Sequence, residues 1–178
     1  MPRYAAFLRA INVGGHTVKM ERLRALLEEL GLDDVRTVIA SGNVVFASSA
    51  RSGAALESRI EAHLRAALGY DVLTFVRSAT ELSAIAAYAP FGAEHPSMQG
   101  GTLLVTFHKA PPSAEAARRL LGYATATDAF HVHGRESYWG GGARMSDSPF
   151  FKIGIEKAIG MPGTGRNMNT VRKIAAMP

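Results

Sequence analysis

The chain contains no cysteine, which excludes disulfide staples, thiolate nucleophiles and cysteine-based zinc or iron–sulfur centres together. It has no apolar run of the roughly 18 residues that a membrane-spanning helix requires. The apolar stretch after Met1-Pro2-Arg3 is interrupted by Arg9 before a secretory h-region could form, so a cytoplasmic location with no membrane partner is expected. No Gly-x-Ser-x-Gly elbow, His-Glu-x-x-His pair or Asp-x-Asp cluster occurs, so the common hydrolase signatures are missing. Aromatic residues make up 8% of the chain, with a single tryptophan.

What is present is a chain of 178 residues, 47% hydrophobic and 20% charged, enough apolar material for one sizeable core or two small ones. Lys and Arg total 20 against 15 for Asp and Glu, a net charge of +5. The excess leans toward the C-terminus, with +1 over residues 1–90 and +4 over residues 91–178. Such an excess suits an acidic partner without requiring one. Only five basic residues are Lys, and Arg accompanies abundant Ala, a pairing that genome base composition alone can produce.

Residues 4–11 read as a strand closed by Asn12-Val13-Gly14-Gly15. Met20, Leu23, Leu26, Leu27 and Leu30 recur at helical spacing, and Gly31 stands where a helix ends. Two β-rich runs, 35–40 and 44–47, flank Ser41-Gly42-Asn43, the composition of a tight hairpin. Leu56, Ile60, Leu64 and Leu68 mark a second helix, and residues 72–76 a fourth strand. Ser78-Ala79-Thr80-Glu81 has capping-box spacing ahead of a connecting helix that Pro90 stops, and residues 91–101 read as a loop. Residues 102–108 form the next expected strand, and Pro111-Pro112-Ser113 opens a helix. Phe130-His131-Val132-His133 and Glu136-Ser137-Tyr138-Trp139 flank Gly134-Arg135 as a two-residue hairpin. A Gly140-Gly141-Gly142 loop then leads to a helix over 150–159, and a last helix covers about 167–176.

The first half is thus βαββαβ, and the second repeats βαββα with a closing helix where the fourth strand belongs. Internal duplication is the economical reading. The expected fold is α+β, with two ferredoxin-like repeats on antiparallel sheets: an N-terminal half over 1–78, a connecting helix and loop over 79–101, and a C-terminal half over 102–178. Whether the halves are separate or intertwined stays open.

Three segments carry chemistry. The loop from Asn12 through Gly14 and Gly15 to Lys19 lies between a strand and a helix N-terminus. Glycines admit backbone N–H groups close to a ligand and the helix start adds partial positive charge, a setting for phosphate or carboxylate. The spacing is neither that of a P-loop nor of a dinucleotide fingerprint, and a purely structural turn capped by Asn12 explains it equally well. Ser41 and Asn43 bracket the hairpin glycine, where turn chemistry alone selects these residue types. In the C-terminal run, Thr164 or Asn167 can cap the last helix and Thr170 lies in it. Arg166 at that helix start would oppose the macrodipole, which points to an acidic group or anion holding it. His131 and His133 alternate on one strand, but no third residue at metal-site spacing joins them and no metal is expected. Asp147 between Ser146 and Ser148 reads as a solvated turn acid.

Leu8-Arg9-Ala10-Ile11-Asn12-Val13-Gly14-Gly15 with Lys19-Met20, then Ser41-Gly42-Asn43-Val44-Val45-Phe46, Pro90-Phe91, and Ile155-Glu156-Lys157 followed by Thr164, Arg166-Asn167 and Thr170-Val171 resemble, in order, the motifs of the uncharacterised bacterial domain-of-unknown-function family numbered 1697. The resemblance spans nearly the whole chain and implies two ferredoxin-like repeats, with no established activity, substrate or cofactor. This chain departs from the family pattern at Ala10, where Gly is common, at Pro149, where a basic residue is usual, and at Met168, often Trp.

The leading expectation is a protein that binds a small phosphate-bearing anion, a phosphorylated metabolite or nucleotide. Its site residues would be Asn12, Gly14, Gly15, Lys19, Ser41, Asn43, Arg166, Asn167 and Thr170. No catalytic residue or cofactor can be named, and enzymatic activity is left open. The alternative is a nucleic-acid-binding module that uses Tyr138, Trp139, Arg144, Arg166, Arg172 and Lys173. A third reading is a homodimer formed through exposed strand edges.

Overall fold

The computed structural model describes residues 1–39 and 42–177. The chain resolves into two compact units, Met1–Ile85 with Lys173–Pro178, and Ala86–Arg172. It is an α+β protein with one four-stranded antiparallel sheet in each unit.

In the first unit β1 (Arg3–Leu8), α1 (Met20–Glu29), β2 (Asp33–Val38), β3 (Asn43–Ala47), α2 (Gly53–Leu68) and β4 (Thr74–Ser78) follow one another. The sheet order β2-β3-β1-β4 is that of a ferredoxin-like βαββαβ unit. Leucine spacing on α1 places Leu23, Leu26 and Leu27 in one core with Leu56, Ile60 and Leu64 of α2 and with Tyr4, Ala6, Leu8, Val44 and Phe46 of the central strands. The intervening Ala5, Phe7 and Val45 are buried as well, so β1 and β3 read as continuous apolar runs rather than alternating ones. α1 closes as a Schellman motif, with Gly31 N–H donating to the Glu28 carbonyl at 2.9 Å and Leu32 N–H to Leu27 at 3.3 Å. α2 starts at Ser52, whose hydroxyl accepts from Ala55 N–H. It is tied to β4 through side chains, Glu57 accepting from Val76 N–H at 2.9 Å and Glu61 from Thr74 N–H at 2.8 Å.

β1 ends at Leu8 instead of continuing to residue 11. The cause is Ala10, whose φ of +53° breaks the extended backbone. A left-handed conformation costs a residue with a Cβ about 1–2 kcal/mol, while glycine adopts it freely. Ala10→Gly is therefore expected to raise stability by about 0.5–1 kcal/mol, net of the added freedom of the unfolded chain, as read by urea denaturation. The β2–β3 connection is longer than a tight turn over 41–43, because β2 stops at Val38 and both Ile39 and Gly42 have positive φ.

The capping box ahead of α3 (Ala79–Ala87) forms as expected, with Ser78 N–H donating to the Glu81 carboxylate at 2.8 Å and Glu81 N–H to the Ser78 hydroxyl at 3.2 Å. The second unit then builds β5 (Thr102–Phe107), α4 (Ala114–Leu121), β6 (Asp128–His133), β7 (Glu136–Gly141), α5 (Ile155–Ile159) and β8 (Thr164–Asn167), followed by α6 (Met168–Ala175). Sheet order β6-β7-β5-β8 repeats the topology of the first unit. Ser113 caps α4 by accepting from Ala116 N–H, and the two-residue hairpin at Gly134-Arg135 sets His133 opposite Glu136.

Three sequence expectations are corrected here. The fourth strand exists: Thr164–Asn167 pairs with β5, Thr164 opposite Phe107 and Arg166 opposite Val105. A four-residue segment with Gly and Asn has little strand propensity, and pairing with a buried neighbour overrides that. The helix over 150–159 is instead a 3-10 turn, Pro149–Lys152, and the short α5, parted by Gly154 at a φ of +76°. Gly140 and Gly141 are not loop but the end of β7. A Cβ on Gly140 would stand 2.5 Å from the Phe91 ring, so the missing side chain lets residues 91–98 pack on the sheet.

Candidate functional site

The glycine loop of the first unit starts where β1 ends and finishes at α1. Asn12 staples it, its side-chain oxygen accepting from Val18 N–H at 2.6 Å. Gly14 and Gly15, with φ of +70° and +84°, have open space where a side chain would be. His16 stacks on Tyr70 with ring centroids 3.8 Å apart, and the Tyr70 hydroxyl donates to the Ile11 carbonyl at 3.0 Å. Burial raises the Tyr70 pKa, which keeps this donor protonated. Lys19 is exposed at the N-cap of α1 and gives the helix no side-chain cap.

Gly42 lies against the start of this loop, its carbonyl accepting from Leu8 N–H at 2.8 Å. Asn43 is buried, and its amide donates to the Val38 carbonyl at 3.1 Å, closing the β2–β3 connection. Ser41 lies outside the described residues. Of the first-unit candidates, Asn12 and Asn43 therefore hold local structure, whereas Gly14, Gly15 and Lys19 face solvent.

Arg166, Asn167 and Thr170 belong to the second unit. Arg166 is in β8 and not at a helix start, so the macrodipole mismatch expected from sequence does not arise. Its guanidinium donates to the Thr164 hydroxyl and the Gly165 carbonyl, each at 2.8 Å, and burial pushes its pKa down to about 10. Thr164 is thus no cap for α6. Asn167 takes that role, its side-chain oxygen accepting from Asn169 N–H at 2.9 Å.

A cavity of about 410 Å³ opens in the second unit, and its lining includes Asp128, a residue that the sequence alone does not single out. Asp128 is buried. One carboxylate oxygen accepts from the Trp139 indole N–H at 2.6 Å, the other from the Thr125 and Thr127 hydroxyls at 3.1 and 3.4 Å. Burial opposes ionisation of Asp128, but these bonds and one from Ser148 outweigh it and hold the carboxyl below the usual aspartate range. With its lone pairs committed, Asp128 positions the indole and is no free base. The signal available in the sequence is the single tryptophan, since a buried indole N–H needs an acceptor.

Tyr138 and Trp139 are both buried, so neither offers the exposed face that stacking a base requires. Arg144, Arg172 and Lys173 are exposed. His131 shares a 2.7 Å hydrogen bond with the Tyr88 hydroxyl, and His133 stacks on the same ring. Burial and neighbouring His133 push the His131 imidazole below its ordinary pKa. Among the described residues no group of three His, Asp or Glu side chains is gathered as metal ligands. His108 and Ser137 form a 2.8 Å pair resembling a nucleophile and its base, but both are fully buried, which denies access to a substrate. No helix among the described residues is long and apolar enough to cross a membrane.

Two βαββαβ units in tandem, the first with a glycine loop at a helix start and the second with a cavity walled by its tryptophan, place the chain among the double ferredoxin-like α+β proteins. The chain belongs to the family described as Protein of unknown function (DUF1697), which it matches over residues 1–138. Among solved structures it is similar to the conserved bacterial protein SP0830 from Streptococcus pneumoniae, with 24% identity and a TM-score of 0.71 over 98% of this chain and 97% of that one. That likeness concerns the fold. Comparison with curated proteins gives no match.

Proposed function

We propose that the protein binds a small phosphate-bearing anion, a phosphorylated metabolite or nucleotide, at the Gly14-Gly15 loop and the start of α1. The observation that carries this reading is that α1 begins without a side-chain cap and with exposed Lys19 at that position, and that Gly14 and Gly15, earlier in the same loop, have open space where a side chain would be. Uncapped N–H groups at a helix start favour negative charge, and a lysine adds a full positive one. The proposal rests on first-unit residues alone; Arg166, Asn167 and Thr170 belong to the second unit. Buried Tyr138 and Trp139 remove the aromatic contacts on which a nucleic-acid module would have relied.

The test is a titration of the protein with inorganic phosphate and with AMP, followed by backbone amide NMR. Saturable shifts confined to Gly14, Gly15, Met20 and Glu21 are expected, and Lys19→Ala should weaken binding about tenfold, the worth of one charge-assisted hydrogen bond. If neither ligand moves these amides, the proposal fails. If an oligonucleotide binds instead with affinity that collapses as salt rises, several phosphates are being neutralised and the partner is a nucleic acid.

A further inference from the structure

The second-unit cavity, about 410 Å³, is the size of a small-molecule site. Part of its wall is the edge of Trp139. A Cβ on Gly141 would stand 2.6 Å from the indole Cζ2, so glycine at this position lets the backbone pack against the ring edge of Trp139, which is buried. Pro96 and Pro149 extend the apolar lining.

Three charged side chains line the same space, and their environments differ. Asp128 is held ionised, but its oxygens are already committed to the indole and to neighbouring hydroxyls. It therefore fixes the ring and leaves no acceptor for a ligand. Arg144 and Asp147 form a single Nε contact at 3.3 Å, with side chains 82% and 51% exposed. Exposed pairs of this kind contribute little, so an incoming anion displaces Asp147 at small cost. The two terminal amines of Arg144 have no protein partner among the described residues. Such a planar fork matches the two oxygens of a carboxylate.

We propose that this cavity is a second binding site, for a small ring-bearing carboxylate whose ring lies against the two prolines, close to the buried Trp139, and whose carboxylate takes the Arg144 fork. The site is independent of the glycine loop in the first unit.

Because the chain has one tryptophan, its indole N–H gives a unique NMR signal located at this cavity. Phenylacetate is the probe, with acetate supplying the charge without the ring and 2-phenylethylamine the ring with the opposite charge. Phenylacetate is expected to shift the Trp139 indole and the Gly141 amide saturably, and the two controls to leave both in place. Arg144→Ala should weaken phenylacetate about tenfold, with partial recovery in Arg144→Lys, as for loss of a charge-assisted contact. Asp147→Asn should tighten it about threefold by removing the competing carboxylate. Arg144 is largely exposed, so its variants keep the fold, and an unchanged indole signal in the free protein verifies this. An indole signal that phenylacetate does not move overturns the proposal, as does equal binding of 2-phenylethylamine or undiminished binding to Arg144→Ala.

Discussion

Asp128→Ala is expected to destabilise the second unit by about 3 kcal/mol, since it removes hydrogen bonds to a charged acceptor and strands a buried indole N–H. Four donors converge on this carboxylate, from Trp139, Thr125, Thr127 and Ser148. Denaturation followed by tryptophan fluorescence reads the loss directly, because the single indole belongs to this unit. A change below about 0.5 kcal/mol, the range of ordinary surface substitutions, would refute the role assigned to Asp128. The same residue sets a pH dependence. Its folded pKa lies below that of the unfolded chain, so its contribution is complete above the ordinary aspartate value, about 4, and is lost as pH falls through the folded value. Wild type should thus lose stability on acidification more steeply than Asp128→Asn, which has no proton to take up at that position.

Gly42→Ala should cost about 2–3 kcal/mol, from two sources. Gly42 has a φ of +75°, where an added Cβ is disfavoured by about 1–2 kcal/mol. That Cβ would also stand 3.0 Å from Ile11 Cγ2 and 3.1 Å from the Leu8 carbonyl oxygen. The carbonyl belongs to a paired strand and cannot yield as a flexible side chain would. Gly14→Ala is the comparison, with a φ of +70° and nothing within 4 Å of the new atom, so it should cost about 1 kcal/mol from backbone conformation alone. Equal losses in the two variants, measured by urea denaturation with far-UV circular dichroism, would show that close packing at Gly42 adds nothing.

Much of the fold was legible because local chemistry and tertiary structure agree. The leucines of α1, the capping box at Ser78 and the Gly134-Arg135 turn each specify their element from within a few residues. β8 was not legible, because Thr164–Asn167 becomes a strand only through pairing with β5. The glycines of β7 misled for a related reason: Gly140 and Gly141 mark close packing against Phe91 and Trp139 rather than a turn, and composition does not separate the two. The candidate sites divide in the same way. Gly14, Gly15 and Lys19 announced themselves by residue type, whereas the tryptophan's need for an acceptor points to Asp128 only once strand register is known. Phe130 is opposite Trp139 and Asp128 opposite Gly141, so the carboxylate shares a face with the indole one step along the hairpin. Asn43 shows the converse, a polar residue of suggestive type whose side chain is committed to the backbone of its own hairpin.

The outer border of β4 has a further consequence. Thr74, Val76 and Ser78 send their N–H groups away from β1, and each meets a carboxylate of its own chain, Glu61, Glu57 and Glu81 respectively. An edge with its donors spent in this way is a poor template for a foreign strand. Self-assembly by continuing this sheet into a second copy, and capture of an extended peptide along it, are both disfavoured at β4, so a dimer of this protein would have to form through some other surface.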